Sequence, residues 1–145
     1  MEIRRPAQDR PAFVKLRRDR HLAFTLVELM IAVMIIAILA VVALPAFLRA
    51  RKRSQASQVV NELRLIDAAV NEYAIETGKL PGATVSVADW TNYIKKDSRL
   101  YLTGEDVLGN EYGAQTVDET PFVPIETYFE LGDVADDDFW DPFNP

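Results

Sequence analysis

The sequence predicts an α+β chain in which a long N-terminal helix, half membrane-spanning and half amphipathic, packs on a small C-terminal domain with a short helix and antiparallel strands. Three observations carry this. Leu29 to Leu44 is sixteen consecutive apolar residues, extended to twenty by Pro45, Ala46, Phe47 and Leu48. An apolar stripe at helical spacing follows it. From Leu100 to Pro145 the chain carries twelve acidic residues and no Lys or Arg, broken by Gly and Pro into short pieces. Four segments result: a basic stretch at 1–23, an apolar helix at 24–48, its amphipathic continuation at 49–78, and an acidic globular domain at 79–145.

Residues 1–23 hold seven basic and three acidic residues, whereas the rest of the chain holds nine basic and nineteen acidic ones. The first stretch reads as polar and Pro-interrupted. A secretory signal has an apolar stretch of roughly 7 to 15 residues and then a small-residue cleavage site. Here the apolar run is longer and ends in basic residues, as a spanning segment does. About twenty apolar residues suffice to cross the ~30 Å hydrocarbon core of a bilayer. Arg49, Arg51, Lys52 and Arg53 follow directly and read as an anchor at lipid headgroups rather than a nucleic-acid patch. Basic residues flank the span on both sides, so charge counting leaves its orientation open.

Glu28 stands at the edge of the span. A carboxylate drawn toward the bilayer centre costs up to about 3 kcal/mol. It either stays hydrated at the interface or meets a positive group, such as an amino terminus of its own or of a neighbouring chain. Pro45 lacks an amide hydrogen and clashes with the preceding turn, so a kink or local melting is expected between Val41 and Pro45.

Val59, Leu63, Ile66, Val70 and Tyr73 recur at steps of 4, 3, 4 and 3, with Val60, Ala69 and Ala74 beside them. The stripe is too short for a coiled coil, and the expected cover is the chain's own C-terminal domain. Gly78 and Pro81 mark the helix end. Residues 79–145 are too few for a large independent core and are expected to use the stripe as their floor. Ser86-Val87-Ala88-Asp89 has capping-box spacing, which opens a short helix ending near Lys95-Lys96 and puts Trp90, Tyr93 and Ile94 on one face. That face is read as core, with a ligand pocket the alternative. Leu100-Tyr101-Leu102, Glu111-Tyr112 and Phe122-Val123-Pro124-Ile125 read as short strands, with Pro124 on an edge or at a bulge.

Composition excludes much chemistry. There is no Cys and the one His is His21, so thiolate and histidine-based catalysis and zinc sites are excluded downstream. The acidic body repels phosphate backbones and excludes nucleic acid as a partner. Nothing places two acids in a dry pocket, and the chain reads as no enzyme.

Ala23-Phe24-Thr25-Leu26-Val27-Glu28-Leu29, with a basic leader before it, an unbroken apolar helix after it and Pro45 further on, resembles the processing site of type IV pilins and type II secretion pseudopilins. The resemblance implies cleavage between Ala23 and Phe24 by a prepilin peptidase on the cytoplasmic side of the inner membrane, and methylation of the new amino terminus at Phe24. It also implies assembly through Glu28, and a helix softened at Pro45. The sequence departs from the family at Ala23, where Gly is usual, which puts the completeness of processing in question. Glu76-Thr77-Gly78-Lys79-Leu80-Pro81 resembles a pseudopilin helix-to-loop junction. Asp106-Val107-Leu108-Gly109-Asn110-Glu111-Tyr112 resembles the Asp-Pro-Trp-Gly-Asn-Pro-Tyr turn of major pseudopilins, with Val107, Leu108 and Glu111 departing. By the same resemblance Asp133, Asp136, Asp137, Asp138 and Asp141 are candidate ligands of a calcium ion in the C-terminal loop, although no EF-hand spacing is present and an acidic tail is also simply a solvated one.

The implied function is a filament subunit, for a type IV pilus or a secretion pseudopilus. Its expected partners are copies of itself, the prepilin peptidase, the inner-membrane assembly platform, minor pilins or pseudopilins, and the membrane. Its N-terminus would be cytoplasmic and its C-terminal domain periplasmic before assembly. The alternative is a single-pass membrane-anchored interaction module, calcium-binding or not, that does not polymerise.

Overall fold

The computed structural model describes residues 24–145. The basic stretch 1–23, with His21 and Ala23, lies outside the described residues. Two compact units divide the chain at Ile38 and Leu39.

In the first unit the described chain is the start of α1 (Leu26–Thr77), a helix of 52 residues. Thr25 opens it. Its Oγ1 accepts the amide hydrogen of Glu28 at 3.2 Å, and its carbonyl accepts that of Leu29 at 3.2 Å. The hydroxyl thus serves one of the free amides of the first turn, and Glu28 places negative charge where the helix dipole favours it.

The second unit contains the rest of α1 and the C-terminal domain. Helix continues without a break past Pro45, so the expected local melting is not observed there. The stripe does what its spacing predicts: Ala56, Val59, Leu63, Ile66, Ala69, Val70 and Ala74 are buried. Gly78, at φ 68°, ends the helix in the left-handed conformation that glycine adopts without a Cβ penalty.

Over this floor pass β1 (Thr84–Val85), α2 (Val87–Trp90), a 3₁₀ turn (Thr91–Tyr93), α3 (Arg99–Thr103), β2 (Gln115–Thr116), α4 (Ile125–Leu131) and α5 (Asp137–Trp140). β1 and β2 pair antiparallel, Thr84 opposite Thr116 and Val85 opposite Gln115. The α+β class holds. The capping box is also present: both the amide and the hydroxyl of Ser86 donate to Asp89 Oδ2, at 3.3 and 2.6 Å. Trp90 is fully buried and donates from its indole nitrogen to the Gly113 carbonyl at 3.2 Å, and Ile94 is buried beside it. The aromatic group is core, as expected, although its helix gives way to the 3₁₀ turn at Thr91, before Lys95.

The predicted strands are corrected. Leu100-Tyr101-Leu102 is the middle of α3, because Ser98 accepts the Tyr101 amide at 3.2 Å at one end and Gly104, at φ 69°, closes the other. A Cβ at Gly104 would stand 2.7 Å from Val87 Cγ1, so both conformation and space require glycine. Glu111 makes only an isolated bridge with Glu105. Phe122-Val123-Pro124 is irregular chain leading into α4 at Ile125, and Pro124 is the N-cap of that helix rather than an edge-strand residue. The chain end is held by the Val123 amide donating to the Phe143 carbonyl at 2.9 Å and by the buried Trp140 and Phe143.

Candidate functional site

Of the residues implied in processing and assembly, Phe24 is 76% exposed and Glu28 is exposed one turn into α1. Ala23 is outside the described residues. Every residue from Phe24 to Leu48 is exposed, so among the described residues nothing covers the apolar run. Twenty-odd apolar side chains left in water would be strongly unfavourable, so the run calls for cover from outside the described residues. The helix is long and apolar enough to cross a membrane.

Asp133, Asp136 and Asp137 are each engaged by a different partner. Asp133 Oδ1 meets Lys52 Nζ on α1 at 2.8 Å, and Lys52 also donates to the Glu130 carbonyl at 3.2 Å. That ammonium holds the Asp133 carboxyl below its ordinary pKa. Asp136 caps α5 by accepting the Phe139 amide at 3.1 Å, Asp137 accepts the Tyr128 hydroxyl, Asp138 lies in the first turn of α5, and Asp141 follows its end. Among the described residues no three acidic or histidine side chains gather as a metal site.

Two polar clusters join the domain to itself and to α1. Asp106 is completely buried. Its Oδ1 accepts the amides of Leu108 and Asn110 at 2.8 and 2.9 Å, and its Oδ2 accepts the Thr127 hydroxyl; Asn110 Nδ2 in turn donates to Thr127 Oγ1 at 2.8 Å. One carboxylate therefore folds the 106–110 turn and ties it to α4, with Gly109 at φ 95° allowing the turn. Beside it, Tyr112 donates to Glu62 Oε2 on α1 at 2.8 Å, and Arg99 Nη2 lies 3.6 Å from Glu62 Oε1. Burial raises the Glu62 pKa, partly offset by its Tyr112 hydrogen bond and by Arg99, and burial next to Glu62 raises that of Tyr112. Sequence reading singled out the Asp106 turn only by resemblance; the available signal was an Asp followed three and four residues later by Gly and Asn.

The sign for Glu62 follows from its raised pKa. Above the unfolded value of about 4.5 the unfolded chain ionises first, so the folded state binds more protons and stability falls with rising pH until the folded pKa is passed. Glu62→Gln keeps an acceptor for Tyr112 and is expected to flatten that fall in thermal melts taken upward from this pH. A pH profile identical to wild type would remove Glu62 as its source.

The model of the prokaryotic N-terminal methylation motif matches residues 18–44. Fimbrial protein Q of Moraxella bovis is 37% identical over 87 residues, 60% of this chain and 52% of that protein. A fimbrial protein of Neisseria meningitidis is 43% identical over 63 residues, 43% of this chain and 37% of that one. Type IV major pilin protein PilE1 of Neisseria gonorrhoeae is 45% identical over 58 residues, 40% of this chain and 35% of that one. Over its N-terminal part the chain is similar to type IV pilins. The chain spans about half the length of the first of these relatives and less of the others. No solved structure matches it at a significant level. The matched motif contains Phe24 and Glu28 and ends just before Pro45, so the motif overlaps the exposed apolar helix.

Proposed function

We propose that this chain is a structural subunit, not an enzyme, of a type IV pilus-like filament. It enters the inner membrane through 24–48 with its N-terminus cytoplasmic and its C-terminal domain periplasmic. Prepilin peptidase cuts between Ala23 and Phe24, the new Phe24 amino terminus is methylated, and copies polymerise with their apolar helices together. The supporting observation is that the same stretch matches the methylation motif and is left uncovered by the other described residues. Lipid covers it before assembly and other copies cover it afterwards. Glu28, one turn from Phe24, would then meet a positive amino terminus, which removes the cost of a bare carboxylate among apolar helices.

N-terminal sequencing and intact mass of the chain from cells with its assembly machinery should give a protein starting at methylated Phe24. A product that still starts at Met1 sinks the proposal and favours the non-polymerising anchor. The secretion-pseudopilus form of this reading draws on the Asp106–Tyr112 turn, whereas the fimbrial relatives favour a pilus.

Calcium in the C-terminal loop belongs to this proposal on one condition: Asp133, Asp136 and Asp137 must exchange Lys52, the Phe139 amide and the Tyr128 hydroxyl for the ion. Chelation should then lower the melting temperature of the detergent-solubilised chain. An unchanged melt would dismiss the ion.

A further inference from the structure

α4 buries Thr127 and Leu131 and turns Ile125 and Phe129, one turn apart, to solvent; Phe129 is 75% exposed. Phe129 and Tyr128 line a shallow groove of about 450 Å³ together with Asp136, Asp137 and Asp138, and Glu126 and Glu130 are exposed on the same helix. The result is an apolar helix face rimmed by carboxylates. Apolar side chains left in water within an acidic rim fit a partner that is apolar and cationic.

The chain carries such a stretch itself. Phe47 and Leu48 are exposed and are followed by Arg49, Ala50, Arg51, Lys52 and Arg53. Lys52 is engaged by Asp133 of its own copy, but Arg49, Arg51 and Arg53 are exposed and take part in neither of the two ion pairs among the described residues. From Ser54 onward the chain holds five basic and eighteen acidic residues. Copies stacked close together would repel through these domains unless cations are brought between them.

We propose that the Ile125–Phe129 face of one copy, with its rim of Glu126, Glu130, Asp137 and Asp138, docks onto the Phe47–Arg53 stretch of a second copy. The two patches are different sets of residues that adjoin in one copy where Lys52 meets Glu130 and Asp133, so a contact between the face of one copy and the basic stretch of the next is head-to-tail. Such a contact repeats without closing on itself and generates an open filament rather than a dimer. It also supplies what the basic stretch loses on leaving the membrane, because carboxylates of the next copy replace anionic lipid headgroups. This inference rests on the filament reading and names the contact that reading needs outside the apolar helices.

The sequence contains no cysteine, so introduced thiols are the only ones. The full chain carrying both Arg51→Cys and Phe129→Cys, produced in cells with the assembly machinery and treated with a bis-maleimide, should give a ladder of dimers, trimers and larger species. Each single variant should stay monomeric. Ile35→Cys, in the apolar run, reports separately whether copies associate. If Ile35→Cys crosslinks and the double variant gives no ladder, the docking contact is overturned and the filament reading stands. Dimers from Phe129→Cys alone would mean a face-to-face contact and overturn it as well. If neither the Ile35→Cys chain nor the double variant crosslinks, the filament reading falls and this contact with it.

Discussion

Replacing Asp106 by alanine is expected to destabilise the C-terminal domain by roughly 4 kcal/mol, since it leaves two amides and a hydroxyl without an acceptor in a fully buried place and each orphan costs about 1–3 kcal/mol. Against a typical stability of about 5–15 kcal/mol that is a large share. Asp106→Asn should cost less, roughly 1–2 kcal/mol, because its amide oxygen still accepts from Leu108 and Asn110 while the Thr127 hydroxyl loses its acceptor. Denaturant melts of the detergent-solubilised chain read both values. An alanine variant within 1 kcal/mol of wild type would show that the turn is closed by something other than this carboxylate.

Trp90→Ala is expected to cost about as much, roughly 3–5 kcal/mol, because a fully buried indole leaves a cavity that a thin domain over one helix cannot collapse around. Trp90→Phe should recover most of the packing and lose the hydrogen bond to the Gly113 carbonyl, about 1 kcal/mol. If the phenylalanine variant were as damaged as the alanine one, the hydrogen bond rather than the packing would be holding the two segments together. Neither substitution touches the apolar helix, so membrane insertion should be unchanged in both.

The parts legible in the sequence are those with a long period or a local chemical cause. The stripe from Val59 to Val70 repeats often enough for its buried face to be read directly, and the Ser86–Asp89 box and the Gly78 stop each depend on a few adjacent residues. The errors fall on short apolar triplets. Leu100-Tyr101-Leu102 fits a strand and a helical turn equally well, and the decision lies with Ser98 and Gly104 outside it. Phe122 to Ile125 looks extended, yet Thr127 and Leu131 four residues apart are what the core takes, and they require a helix starting at Ile125. The true strands, two residues each, are too short for any alternation to show. At the candidate site, the motif at Phe24 and Glu28 was readable because it is contiguous. The joining of Asp106 to Thr127 and of Lys52 to Asp133 was not, because such long-range pairs have no periodicity to announce them.

Both tryptophans of the chain, Trp90 and Trp140, are buried in the C-terminal domain, and the apolar helix has none. Intrinsic fluorescence therefore observes the domain alone. Emission should stay blue-shifted whatever surrounds the apolar helix, and move to the red only when the domain unfolds. The chain thus has its own optical probe, one that reports the fold of the domain separately from whatever covers the apolar helix.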